Sequence, residues 1–273
     1  GKVVGLVGGR GKKEGSLLTN RATMTTRQPG SSIKPLAVYG PAMDDGKITP
    51  YSAVTDMPFK VYNGKAWPRN DNRRYQGQMV VRNAIARSIN CVAVRVLDMI
   101  TPQRSYEFLH DTLGFDHLNP NADIDYAPLA LNGGVTVREM AAGYTIFANN
   151  GKYSGSRTYS KVEDGEGNVL IDYTTPEEKN AFKNEKTAYY MLDALKEVTE
   201  SGTGRRATIP GIETAGKTGT TNAKRDVWFC GLTPYYVGAT WFGYDQSYNL
   251  EGISGNSALS LWTTVIWAMT PTL

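Results

Sequence analysis

Apolar positions recur along this chain at two spacings, and each spacing predicts its own kind of element. Val81, Ala84, Ile85, Ile89, Val92, Val96 and Met99 fall at helical intervals, so 80–99 is expected to be helical and largely buried. A second helical pattern runs from Glu185 to Ser201 and stops at Gly202. Thr136-Val-Arg-Glu139 has the form of a capping box ahead of "MAAGYTIFA", and Asn149-Asn150-Gly151 ends that helix. Helix signals also begin at Ser31, interrupted by Pro35, and a last helix is expected from about Leu259 to Met269.

The strand-like patterns are shorter. "KVVGLVGG" at the start reads as a buried strand, and "YSKVEDGEGNVLIDY" as a hairpin around Asp164-Gly165. "IETAGKTGTT", "DVWFCGLTP" and "YYVGATWFGYD" are rich in aromatics and separated by short loops, which predicts an antiparallel meander. Residues 46–78 carry Gly, Pro, Asn and aromatics without periodicity and read as a long surface excursion. The order of elements implies an α+β fold in which the first and last strands share one sheet flanked by helices.

Composition narrows the classes. With 40% apolar and 21% charged residues the chain is an ordinary globular sequence, and its net charge of +4 falls short of a nucleic-acid signature. No apolar run approaches the ~18–20 residues that span a bilayer. Because Gly1 leads directly into a strand pattern, the chain is expected to be an excised portion, with any anchor outside it. Cys91 and Cys230 form no C-x-x-C, and His110 and His117 have no cysteine nearby, so neither a zinc site nor another metal or cofactor is suggested. The thiols are expected to be buried and inert; sequence leaves a pairing between them open. Both histidines lie in "LHDTLGFDH", a helix end and its exit loop, which argues against a Ser-His-Asp triad.

One stretch carries two rival chemistries. Gly211 to Thr218 satisfies G-x-x-x-x-G-K-[ST], the phosphate-cradling loop. That loop needs a buried strand before it and a helix after it. Here "GTGRRATIP" precedes it, and Gly219, Thr220, Thr221 and Asn222 follow, so both requirements fail. The other reading takes Lys217-Thr218-Gly219 as a strand beside a serine nucleophile. It demands a Ser-x-x-Lys, found at Ser31 and Lys34, then a Ser-x-Asn, found at Ser88 and Asn90. The three occur in that order, and the ordered set is far more specific than any one of them.

The residue types suit acyl transfer. Ser31 and Lys34 are three apart at a helix start and so share a face. Serine needs a base, and lysine serves as one only if burial and nearby positive charge lower its pKa. Lys217 would supply that charge, Ser88 a proton-relaying hydroxyl, and Asn90 an amide for Lys34 and an incoming acyl chain. The backbone amides of Ser31 and Thr220 are candidates for an oxyanion hole. Gly219 is expected to leave the strand edge uncluttered for a substrate lying as an added strand. Thr218, Thr220 and Lys217 would then bind a terminal carboxylate.

These motifs, with "NRATMTTRQPGSSIKP", "RNAIARSINCVAVRV", "GVTVREMAAGYTIFANNG", "ESGTGRRA" and "AGKTGTTNAKRDVWFCGLTP", make the chain resemble the transpeptidase domain of class A penicillin-binding proteins over nearly its whole length. The resemblance implies one domain over 1–273 with a mostly helical subdomain, and an upstream glycosyltransferase domain and membrane anchor outside this chain. It implies a D,D-transpeptidase at the extracytoplasmic face of the bacterial plasma membrane. Ser31 would take the acyl group of a D-Ala-D-Ala stem peptide and pass it to an amine of a neighbouring stem. β-Lactams would acylate the same serine, and cell-wall assembly proteins would be further partners. A D,D-carboxypeptidase or a non-catalytic β-lactam sensor shares the motifs, whereas a class A β-lactamase would need a Glu-x-x-Leu-Asn loop that this sequence lacks. Arg21, Arg27 and Arg225 read as loop-solvating, Tyr62, Trp67 and Tyr75 as packing for the excursion, and Asp226 and Trp228 as anchors of the strand after the site.

Overall fold

The structure is a computed structural model that describes residues 1–270. The last third folds as its pattern predicts. Ala215–Thr220, Asp226–Leu232 and Val237–Gly243 form an antiparallel meander with Asp226–Leu232 at its centre and Ala215–Thr220 at an edge. Strand side chains project alternately to opposite faces. Lys217 pairs with Cys230 and Gly219 with Trp228, so these four share one face; Thr218 pairs with Phe229 on the other.

The first face carries the large core, built from 30–44, Val81–Ala86, Asn90–Ile100, Val137–Ala148 and Lys186–Glu200. The second is covered by the terminal helix Ser257–Met269, where Trp262 meets Phe229 edge to face at 5.0 Å. The capping box at Thr136 and Glu139 is present in both directions, and Asp164 closes the hairpin of Lys161–Glu163 with Val169–Asp172 by accepting from Glu166 and Asn168 amides at 2.9 Å. Helices packed on a sheet of antiparallel strands make this an α+β fold.

Four expectations need correction. The opening segment joins no sheet: Lys2 makes a single bridge to Arg157, and Val4 and Val7 are exposed. Apolar alternation alone does not make a strand without a partner edge. Residues 80–99 are not one helix, because Ser88 adopts φ +59° and breaks it into Val81–Ala86 and Asn90–Ile100. Pro35 does not interrupt its helix. The segment runs from a 3₁₀ turn at Gly30–Ile33 through a wide turn at Pro35–Tyr39 into Gly40–Asp44. Lys34 N–H donates to Ser31 O, and Pro35 enters at the first position of the wide turn, where its missing N–H is least costly. The excursion is partly built of strands, with Ala53–Asp56 pairing Gly77–Val80 and Lys60–Tyr62 pairing Lys65–Trp67. Within it Trp67 packs on the core, whereas Tyr62 and Tyr75 are exposed.

Candidate active site

The break at Ser88 creates the site's centre. With Ser88 in the left-handed region, its carbonyl and its hydroxyl meet two different amines. Lys34 Nζ donates to Ser88 O at 3.3 Å and to Asn90 Oδ1 at 2.6 Å. Lys217 Nζ donates to Ser88 Oγ at 2.8 Å and to Thr218 O at 3.1 Å. Three segments, one from each motif, are thus joined through one residue.

Neither lysine has any exposed surface. Burial, reinforced by the charge of Lys217, holds Lys34 well below the ordinary lysine range. Burial alone brings Lys217 down to about 7. Across the strand pair, the thiol of Cys230 is pushed up by the same burial, and Cys91 is raised to about 12 by burial and the nearby Asp56 carboxylate. Both cysteines are free and buried.

Ser31 sits in the 3₁₀ turn that presses against the edge strand. Two glycines make that contact. A Cβ on Gly30, whose φ is +56°, would lie 2.6 Å from Thr220 O, and one on Gly219 would lie 2.1 Å from Pro29 O. Gly219 therefore faces the nucleophile's own turn; its missing side chain serves close packing there, where the sequence reading has it clear space for a substrate. The turn is further fixed by Tyr144, whose hydroxyl donates to Ser32 O at 2.6 Å, and by Ser32 Oγ, which donates to Pro29 O at 2.7 Å.

The residues of the two candidate oxyanion amides border this seam. Thr221 N–H donates to Asp226 O, so ladder alternation turns the Thr220 N–H outward, towards Gly30. Ser32 N–H makes the turn's first backbone bond, to Pro29 O, which leaves the Ser31 N–H before it without an intrahelical acceptor.

Other expected residues divide. No hydrogen bond joins Ser31 Oγ to Lys34 Nζ. One N–H of Asn90 Nδ2 is taken by Arg69 O at 2.8 Å, which narrows its use for an acyl chain. Lys217 is buried on the face opposite Thr218 and Thr220. Thr218 pairs with Thr203, hydroxyl to hydroxyl at 2.7 Å. Arg21 and Arg27 are not idle either: Arg21 pairs with Asp245, and Arg27 donates to Tyr244 O and Asp245 O and lies 5.1 Å from the Trp241 ring centre. Asp226 anchors its strand as expected, accepting from Trp241 Nε1 at 2.8 Å and Thr221 N–H. Thr203, Tyr144 and Asn70 are the neighbours that sequence reasoning missed; only "ESGTGRRA" flagged the first, and no local pattern marks the others.

Residues 1–247 match the family described as penicillin binding protein transpeptidase domain. Penicillin-binding protein 1A of Clostridium botulinum is 35% identical over 97% of this chain and 33% of its own length. Penicillin-binding protein 1A/1B of Bacillus subtilis is 34% identical over 90% of the chain and 28% of its own. The chain thus spans about a third of these relatives. Among solved structures, penicillin-binding protein 1A from Haemophilus influenzae superposes with a TM-score of 0.75 at 25% identity, covering 93% of this chain and 45% of that one. The PonA1 protein from Mycobacterium tuberculosis in complex with penicillin V reaches 0.79 at 23% identity, over 95% and 73%. With a family match across most of its length and a fold and motif order that agree with it, this chain belongs to the penicillin-binding protein transpeptidase domain family.

Proposed function

We propose that the chain is a serine acyltransferase that cross-links peptidoglycan stem peptides, and that β-lactams acylate it at the same serine. The observation that carries this reading is the pair of buried amines held on either side of Ser88. A neutral lysine has two N–H bonds and one lone pair. Ser88 O and Asn90 Oδ1 accept both N–H bonds of Lys34, so the lone pair remains for the proton of Ser31.

Ser31 Oγ adds to the penultimate carbonyl of the D-Ala-D-Ala end, and its proton passes to Lys34 Nζ. The tetrahedral oxyanion faces the amides of Ser31 and Thr220. As the C–N bond breaks, a proton returned through Ser88 or Lys34 leaves with D-alanine, and an ester to Ser31 remains. An acceptor amine then attacks the ester and gives a proton to Lys34; that proton passes to Ser31 Oγ as its bond to the acyl carbon breaks, and the amide cross-link forms. Lys217 favours the neutral form of Lys34 by its charge and holds Ser88 Oγ in place; Thr218, Gly219 and Thr220 line the strand along which the donor lies. The substrate places this chemistry at the outer face of a bacterial membrane. Among the described residues no helix is long and apolar enough to cross one.

Incubation with a fluorescent penicillin tests the reading. Wild-type protein is expected to label covalently and Ser31→Ala not at all; a folded wild-type chain that stays unlabelled would sink it. With a D-Ala-D-Ala peptide and an amine acceptor, the expected product is the transferred amide. Hydrolysis alone would make the chain a carboxypeptidase, and labelling without turnover a sensor.

A further inference from the structure

The excursion 46–78 sends one side chain beneath the site. Asn70 is only 3% exposed, and its amide makes all four hydrogen bonds that an amide can make. Its Oδ1 accepts from the N–H groups of Asn90 at 3.0 Å and Cys91 at 3.2 Å. These are the opening amides of the helix Asn90–Ile100, which no intrahelical carbonyl reaches. Its Nδ2 donates to Asp56 Oδ1 at 2.6 Å and to Arg74 O at 2.8 Å. Asp56, fully buried, accepts a further bond from Gln76 N–H at 2.9 Å.

A helix start is ordinarily capped by the residue just before it. Here that residue is Ile89, buried and without a polar side chain, and the hydroxyl oxygen of the preceding Ser88 accepts from Lys217 Nζ. The local groups are committed to the site or the core, so the cap comes from 20 residues away. Arg69, next to Asn70, holds the side chain of Asn90 through its carbonyl at 2.8 Å. With backbone and side chain both gripped from the excursion, Asn90 Oδ1 can face only Lys34 Nζ.

We propose that Asn70 is a positioning residue for acyl transfer: by capping the helix at Asn90 it sets where Asn90 holds the amine of Lys34, and Asp56 in turn sets Asn70. The inference rests on the acyl-transfer reading above.

The test follows fluorescent-penicillin acylation of the whole chain with time, reading the labelled fraction at completion and the saturating rate constant separately. In Asn70→Ala the labelled fraction is expected to stay near wild type while the rate constant falls on the order of 10²-fold, the usual penalty for misplacing a reacting group by an ångström. Asn70→Asp sets a second carboxylate against Asp56 and is expected to be at least as slow. Adding Asp56→Asn to it exchanges donor and acceptor across the Asp56 contact while Arg74 O stays without its donor, and part of the rate is expected to return. An unchanged rate constant in Asn70→Ala overturns the proposal, as does a loss confined to the labelled fraction, which would mean a role in folding only. If Asn70→Ala does not fold, the paired exchange decides: a folded double variant that remains as slow as Asn70→Asp overturns the link through Asp56. Failure of the wild-type chain to label would instead remove the acyl-transfer reading itself.

Discussion

Val227 and Phe229 leave the central strand on one side and meet Leu259, Trp262 and Ile266, an apolar layer. Trp228 and Cys230 leave it on the other and share their layer with two lysine amines that have no exposed surface. Each square ångström of apolar surface buried on the first side adds on the order of 25 cal/mol to stability. On the second, each amine must either enter the core without its water or give up its proton, and both subtract from stability at neutral pH. One strand's alternation therefore separates what holds the domain together from what would do chemistry. The nucleophile's turn packs on the second side, where Gly219 lets it approach.

That separation can be broken from either side. The largest effect is expected from Lys34→Met: a drop of about 10²–10⁴-fold in the rate of β-lactam acylation, the range for losing a general base. Its melting temperature is expected to hold or rise, because a buried amine has been removed. A variant that acylated normally but melted early would exchange the parts assigned to the two faces. Next comes Trp262→Ala, expected to lose about 3–5 kcal/mol in denaturant unfolding. The fraction that stays folded should acylate with the wild-type rate constant, and a rate loss beyond the loss of folded protein would join the two faces again.

The third effect is the most specific. Burial holds Lys217 at about 7 in the folded chain, against 10.5 for an ordinary lysine. Between those values the unfolded chain binds a proton that the folded chain does not, so stability gains a contribution as pH rises from about 7 to 10.5 and carries the full penalty below. Lys217→Met should flatten the rise of melting temperature with pH over that window. Parallel curves for the two proteins would mean that burial costs this amine nothing.

The meander, the capped helix at Thr136, the hairpin at Asp164 and the three motifs were all legible in the sequence, because each is fixed by residues close together in the chain. The order of the motifs carried the site, and the bonds from Lys34 and Lys217 to Ser88 bring two of them onto the third. What was not legible depends on distant partners. Helical spacing runs unbroken through Ser88, and nothing nearby announces its positive φ; the break is imposed by what its carbonyl and hydroxyl meet 54 and 129 residues away. The opening "KVVGLVGG" has strand composition, yet no edge receives it. Gly219 looked like space left for a ligand, and only the packing shows the Pro29 carbonyl already there. Asn70 lies in the least periodic part of the chain, so its service to Asn90 has no local signature at all.

The state of the two thiols has a practical side. Maleimides and other alkylating probes react with exposed thiolate, and Cys91 and Cys230 are both buried with their proton held tightly. To such a reagent the folded protein is already cysteine-free. A single cysteine introduced on the exposed hairpin strand Val169–Asp172 would take a fluorophore alone, with both native sulfurs left in place.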